Sequence, residues 1–320
     1  MPKLNMVQAV NNALKEEMQR DESVVILGED IGRDGGVFRT TEGLYNEFGA
    51  ERVIDTPLSE SGIIGTAIGM AVYGLRPVAE IQFMGFIYPA IDQIFSHAAR
   101  IRNRSRGRYT CPLVVRTPYG GGVKALELHS ESTEAFFCHM PGIKVVVPSS
   151  PYHAKGLLTS SIRDADPVIF LEPTRLYRLI KEDVPEGEYT IPLGKARIVQ
   201  DGKDVTIISW GSMLQRTLQA VEGFDAEVID LMTLNPFDEE TILNSVKKTG
   251  RVVIVHEAPK TCGFGAELSA TIAEEAILHL KAPIMRVTGY DVIVPLPKLE
   301  DYYLPSIERI KKAIDEVLRY

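Results

Sequence analysis

The sequence predicts an α/β protein of two domains, each built on a mostly parallel sheet. Short runs rich in β-branched residues alternate with segments of helical periodicity along nearly the whole chain. The alternation breaks once, over residues 181–203, where Pro185, Gly187, Pro192, Gly194 and Gly202 sit among charges. A length of 320 residues suits two ordinary domains or one large one. The expected division is therefore residues 1–190 and 191–320.

The elements follow in order. Asn5 is placed to cap a helix over 5–19, with Gln8 three residues on to complete a capping box. Strands are expected at 24–27, 78–83, 113–117, 144–148 and 167–171. Helices are expected between them at 60–73, 88–103 and 151–163. Residues 181–203 read as a linker. The second unit then restarts with strands at 204–209, 226–230, 251–256 and 284–288. Its helices are expected near 212–222, 238–248, 265–280 and 305–319.

Composition excludes several classes. With 45% hydrophobic residues and near-average glycine and proline, the chain is not disordered. The charge-free run Ser61–Leu75 is too short and too glycine-rich for a membrane span of about 20 residues. The start Met1-Pro2-Lys3-Leu4-Asn5 is polar and lacks a secretory pattern, so no membrane association and a cytoplasmic setting are expected. A net charge of −8 argues against nucleic acid as a partner. Cys111, Cys138 and Cys262 form no CxxC pair, which disfavours a disulfide framework or a cysteine zinc site and fits buried inert thiols.

Three local features could carry chemistry. In Asp55-Thr56-Pro57-Leu58-Ser59-Glu60, Pro57 ends an extended segment, Ser59 can cap, and Glu60 opens a helix. That helix carries Gly62, Gly65 and Gly69. Each costs roughly 1 kcal/mol relative to alanine, so close approach by another helix or a ligand is the natural reason for them. An acid favoured by the helix dipole is the plain alternative for Glu60. The second feature is Gly120-Gly121-Gly122 followed by His129 in a polar stretch. A glycine loop permits close approach to a ligand, and histidine is the usual acid–base residue near neutral pH, although a solvated loop histidine also fits. His97 and His139 read more simply as structural residues, while His256 ends a strand, a favoured functional place in α/β sheets. The third is Arg100, Arg102, Arg104, Arg106 and Arg108, read as a solvated or subunit-facing helix end, where cations suit the dipole.

No GxxxxGK[ST], no GxGxxG after a strand, no HExxH and no GxSxG is present. Nor is there a GDG followed by Asn about 30 residues later. The Asp-Gly pairs, Asp34-Gly35 and Asp201-Gly202, lack the leading glycine.

An ordered set of segments nevertheless resembles one family along nearly the whole chain. It comprises Gly28-Glu29-Asp30, Asp55-Thr56-Pro57-Leu58-Ser59-Glu60, Gly74-Leu75-Arg76-Pro77, Ala79-Glu80-Ile81-Gln82-Phe83, Pro89-Ala90-Ile91-Asp92-Gln93 and His256-Glu257-Ala258-Pro259. These resemble the beta subunit of the decarboxylating component of 2-oxoacid dehydrogenase complexes. The run from His129 to Phe137, His139, and the run from Glu172 to Arg178 look closest to the branched-chain type.

The resemblance implies a thiamine diphosphate pyrimidine-binding domain followed by a transketolase C-terminal-like domain. It implies an alpha-2 beta-2 heterotetramer whose alpha subunit holds magnesium and the diphosphate through GDG…N. The reaction it implies is oxidative decarboxylation of a 2-oxo acid with reductive acylation of the lipoyl group of an acyltransferase core. Glu60 would hydrogen-bond the aminopyrimidine and favour its imino tautomer. Leu58, Gln82 and Phe86 would surround that ring, although Leu58 and Phe86 read from pattern alone as core. His129 would serve acyl transfer to the lipoyl arm. The small-residue helix after Glu60 would let a neighbouring subunit pack close. A structural potassium ion would be held largely by backbone oxygens at Leu113, Ser161, Ile162, Asp164 and Asp166, where an ion-free acidic turn is the alternative. Pyruvate or acetoin dehydrogenase beta subunits are the near alternatives. A non-catalytic two-domain binding or electron-transfer subunit is the distant one. A single-chain transketolase-like enzyme is disfavoured by length, and a ferredoxin-linked oxidoreductase subunit by the absence of cysteine clusters.

Overall fold

A computed structural model describes residues 1–320. Two sheets organise the chain. The larger has seven strands in the spatial order Thr233–Asn235, Lys144–Val146, Val168–Pro173, Val114–Tyr119, Arg76–Glu80, Val24–Gly28 and Val53–Asp55. All its pairings are parallel except that of Thr233–Asn235 with Lys144–Val146. The smaller has five strands, ordered Met285–Gly289, Val252–Pro259, Val205–Ser209, Ala226–Asp230 and Arg197–Gln200, the last antiparallel. The α/β class with mostly parallel sheets is thus as the sequence predicts. No helix is long and apolar enough to cross a membrane.

Local signals act where expected. Asn5 caps the helix Met6–Arg20, and the full capping box with Gln8 forms. Ser59 caps Glu60–Tyr73 by accepting from the Gly62 N–H at 3.3 Å. Helices Met6–Arg20 and Pro151–Arg163 pack together on one face of the large sheet, while Glu60–Tyr73 covers the other.

The expected helix over 88–103 is broken. Pro89 removes a donor and disturbs the ladder, and the segment runs as a 3₁₀ turn Met84–Ala90, a π-turn Gln93–His97, a 3₁₀ turn Ala98–Arg100 and a short α-turn Ile101–Arg104. The strand expected over 78–83 ends at Glu80, which frees Gln82 and Phe83 from the sheet. The 181–203 segment is not a bare linker. Glu182–Asp183 pairs with Lys3–Leu4, and Arg197–Gln200 forms an edge of the small sheet.

The two units share a core. Strand Thr233–Asn235 follows the second unit's Ala226–Asp230 yet completes the edge of the first sheet. One cluster of 37 buried residues joins Val145, Val147, Ile169 and Leu171 to Ile208, Trp210, Ile229 and Leu234.

Inside the large sheet, neighbouring strands place three charges together. Arg116 makes a bidentate pair with Glu172 (Nε–Oε1 2.7 Å, Nη2–Oε2 2.8 Å) and also pairs with Glu80. The Tyr177 hydroxyl donates to Glu172 at 2.7 Å. All four residues are buried. Burial opposes a charge on Arg116, but Glu172 and Glu80 outweigh it and push its pKa up.

Candidate active site at the strand ends

Parallel strands of the large sheet end on one side of the molecule, and the loops leaving them gather the candidate residues, as open α/β sheets commonly do. Glu29 and Asp30 follow strand Val24–Gly28, Thr56–Glu60 follows Val53–Asp55, Gln82–Phe86 follows Arg76–Glu80, and Gly120–Gly122 follows Val114–Tyr119. The Thr56 N–H donates to Gly28 O at 2.9 Å, which ties the first two loops together.

Glu60 is half-buried at the first position of its helix, where the dipole favours an anion. It lies close enough to Glu29 to be felt electrostatically. The Glu29 carboxyl is raised above its usual value by burial, then by Asp30 and Glu60. Gln82 donates through its amide to Glu29 O and to Asp30 Oδ2, both at 3.4 Å. Leu58 stands 72% exposed beside Glu60, so its side chain is available to a molecule seated there rather than being part of the core.

Phe86 and His129 meet. Their ring centroids are 5.1 Å apart in an edge-on arrangement, and Phe83 lies 4.2 Å from the imidazole and 5.7 Å from Phe86. Gly85 makes this possible: its N–H donates to Leu128 O at 3.1 Å, and a Cβ there would sit 2.4 Å from that oxygen. His129 Nδ1 lies 2.8 Å from Glu127 O. A carbonyl only accepts, so Nδ1 carries the proton and Nε2 is left for proton exchange. The structure therefore gathers Glu29, Glu60 and Gln82 with the Phe83, Phe86 and His129 rings at one end of the sheet.

The glycine triplet works differently from the expectation of a ligand cradle. Gly120 and Gly121 are pressed by groups of the second unit, carboxylates among them, and Gly122 by Arg175. A Cβ on Gly120 would lie 2.7 Å from Glu257 Oε2, and one on Gly121 would lie 3.3 Å from the Glu300 carboxyl. Gly121 N–H donates to Glu257 at 2.9 Å and Gly122 N–H to Glu300 at 2.8 Å. Glu300 did not stand out in the sequence, and Glu257 did so only within the His256–Pro259 segment of the family resemblance. The one available signal was a glycine triplet demanding some close neighbour.

The other flagged residues settle into structural places. His256 is fully buried and stacked on Trp210 at 5.1 Å, and burial, with Arg286 adding, pushes its pKa down to about 3. The arginine run closes a helix end: Arg104 donates to Ser96 O at 2.7 Å and Arg102 pairs with Asp166 at 2.6 Å. All three thiols are free, and Cys262 is exposed rather than buried. On the helix after Glu60, Gly65 faces Gln93 of its own chain, whereas Gly62 and Gly69 are exposed.

The oxygens expected to hold potassium already have partners. Ile162 O and Asp164 O accept from Arg76 Nη1 at 2.9 and 3.1 Å. Leu113 O accepts from Val168 N–H and Ser161 O from Asp164 N–H. The Asp164 carboxylate takes Lys144 Nζ, and Asp166 takes Arg102. A carbonyl oxygen has two lone pairs, so a potassium ion here would use the second of each, with the Arg76 guanidinium as a like charge beside it.

Comparison with known proteins completes the picture. Residues 2–180 match the family described as "Transketolase, pyrimidine binding domain", and residues 194–310 match "Transketolase, C-terminal domain". A "Pyruvate dehydrogenase E1 component subunit beta" from Acholeplasma laidlawii is 51% identical over 99% of this chain and 98% of its own. The chain belongs to the E1 beta-subunit family of 2-oxoacid dehydrogenases. Another E1 beta relative, "2-oxoisovalerate dehydrogenase subunit beta, mitochondrial" from Dictyostelium discoideum, is 54% identical over 98% of this chain and 87% of its own. The E1 beta fold also aligns with "Split gene transketolase, inactive beta4 tetramer", at a TM-score of 0.81 over 99% of both chains and 22% identity.

Proposed function

We propose that this chain is the beta half of a thiamine diphosphate-dependent 2-oxoacid dehydrogenase, working only with an alpha subunit in an alpha-2 beta-2 assembly. The observation that supports this most is the strand-end cluster itself, with its acid at a helix start, its amide and its aromatic pair. That donor set fits a flat heteroaromatic ring. The Glu60 carboxylate suits a ring nitrogen, Phe86 and Leu58 offer apolar contact, and the Gln82 amide, now turned to Glu29 and Asp30, is within reach of the polar edge. The alpha subunit would hold magnesium and the diphosphate, since this chain carries no GDG…N motif.

Bound thiamine diphosphate supplies the electron sink that makes loss of carbon dioxide from a 2-oxo acid feasible. In this reading Glu60 holds and returns a proton at a nitrogen of the pyrimidine ring. Phe83 and Phe86 shield one side of His129 from water. His129, oriented by Glu127 O, moves a proton at Nε2 as the acyl group passes to the lipoyl arm of an acyltransferase core.

The substrate side chain is a narrower question. The Glu172–Arg178 run that suggested a branched-chain substrate is largely structural here: Glu172 binds Arg116 and Tyr177, and Thr174 donates to Tyr119 O at 3.0 Å. The branched-chain proposal then leans on the His129–Phe137 stretch and on the Dictyostelium relative, and the pyruvate proposal on the Acholeplasma one. Co-expression tests both levels. A partner of similar size carrying GDG…N is expected to co-purify, and the pair is expected to decarboxylate one 2-oxo acid of a panel from pyruvate to 3-methyl-2-oxobutanoate. Ligand binding by the isolated chain, with no turnover by any pair, would favour a binding module instead.

His129→Ala is expected to lower reductive acylation of a free lipoyl domain about a hundredfold while thiamine diphosphate affinity changes less than threefold. Unchanged acylation would refute the role given to His129.

A further inference from the structure

The loop that carries His129 has little core of its own. Val123, Leu126 and Leu128 are all exposed, Leu126 by 71%. The loop lies against Phe83, Phe86 and the Gly85 N–H on one side. On the other side a single buried carboxylate reaches both of its ends. Glu300, 1% exposed in the second unit, accepts from Gly122 N–H at 2.8 Å and Lys124 N–H at 3.2 Å before the histidine, and from the Ser130 hydroxyl at 3.3 Å directly after it. Both Glu300 oxygens are engaged, and every one of these partners belongs to the loop. The neighbouring Asp301 adds an ion pair with Lys124 at 2.7 Å, but both side chains are about half exposed, so screening leaves it little weight. Charge-assisted bonds from backbone amides to a buried carboxylate are the stronger kind.

We propose that Glu300 is a positioning residue for His129, holding both flanks of its loop so that the imidazole stands ready for acyl transfer. This rests on the role given above to His129. It also assigns the second unit a part in the chemistry: its carboxylate sets the geometry of an acid–base group carried by the first.

Glutamine at this position keeps the shape but puts an NH₂ where one oxygen accepted, opposing a donor of the loop. In the alpha–beta holoenzyme, Glu300→Gln is expected to lower reductive acylation of a free lipoyl domain at least tenfold. Decarboxylation read with an artificial electron acceptor, which bypasses the lipoyl step, should stay within threefold of the parent, and the KM for the 2-oxo acid within twofold. Glu300→Asp should recover part of the acylation rate. Hydrogen exchange at residues 122–130 should quicken without change in the sheet strands. Should Glu300→Gln fail to assemble, Ser130→Ala removes one bond only, and acylation alone should drop about threefold. Equal loss of both partial reactions, or acylation within twofold of the parent, would overturn the proposal. A His129→Ala enzyme that still acylates normally would instead overturn the role of the histidine. A normal Glu300→Gln beside a defective His129→Ala would overturn the clamp alone.

Discussion

Glu60→Gln is expected to lower decarboxylation by the assembled enzyme at least about a hundredfold while leaving assembly intact. Glutamine is nearly isosteric, and a neutral side chain is compatible with the first helical position, which Ser59 caps independently by holding the Gly62 N–H. What disappears is a group able to take and return a proton beside the ring that Gln82 and Phe86 would flank. The acid next to it changes too. Glu29 is raised partly by Glu60, so removing that charge lets the Glu29 carboxyl fall back toward its ordinary value. An artificial-acceptor assay on the purified heterotetramer, with size-exclusion elution as the assembly control, reads both parts. Turnover near the parent rate would remove Glu60 from the mechanism.

The largest stability effect is expected at Arg116. Arg116→Met leaves Glu80 and Glu172 buried without their cation, and breaking a buried pair from one side costs about 3–5 kcal/mol. The midpoint of thermal unfolding should fall by at least about 6 °C. The loss has a sign in pH. Burial already raises the Glu80 carboxyl, and without the guanidinium that opposes that rise it binds a proton more readily folded than unfolded. The folded variant then holds more protons than the unfolded chain above the ordinary glutamate range, so its stability falls as pH rises and its deficit narrows toward pH 5. A triple variant with Glu80→Gln and Glu172→Gln as well should recover at least half of the loss at pH 7. A single variant as stable as the parent would show that the trio contributes nothing.

Legibility in the sequence followed the range of the interaction. The capping box of Asn5 and Gln8 and the Ser59 cap are contacts over three residues, and both were readable from spacing. The break at Pro89 was also a local signal, but the apolar periodicity around it outweighed the proline in the reading. Strands Val53–Asp55, Arg197–Gln200 and Thr233–Asn235 are three or four residues long, and exist because a distant partner offers an edge, so nothing in their own residues announces them. At the site, the resemblance supplied Glu60, Gln82, Phe86 and His129, and the structure brings Phe86 to His129 and Gln82 to Glu29. Phe83, which lies closer to the imidazole than Phe86 does, was hidden inside an expected strand. The contacts of Glu257 and Glu300 were invisible for another reason. The backbone N–H groups of Gly121 and Gly122 that they hold lie more than 130 positions away and carry no side-chain signature.

The strand Thr233–Asn235 lends this chain a property that its two-part sequence hides. Cutting after residue 190 would strip the outermost ribbon from the Lys144–Val146 strand and open the apolar seam joining Val145 and Ile169 to Ile229 and Leu234. The two parts, which match separate domain families, are thus joined through one sheet edge and one apolar core. A load applied to the second unit, by a docking partner for instance, is borne by the same sheet whose far ends carry Gln82 and His129.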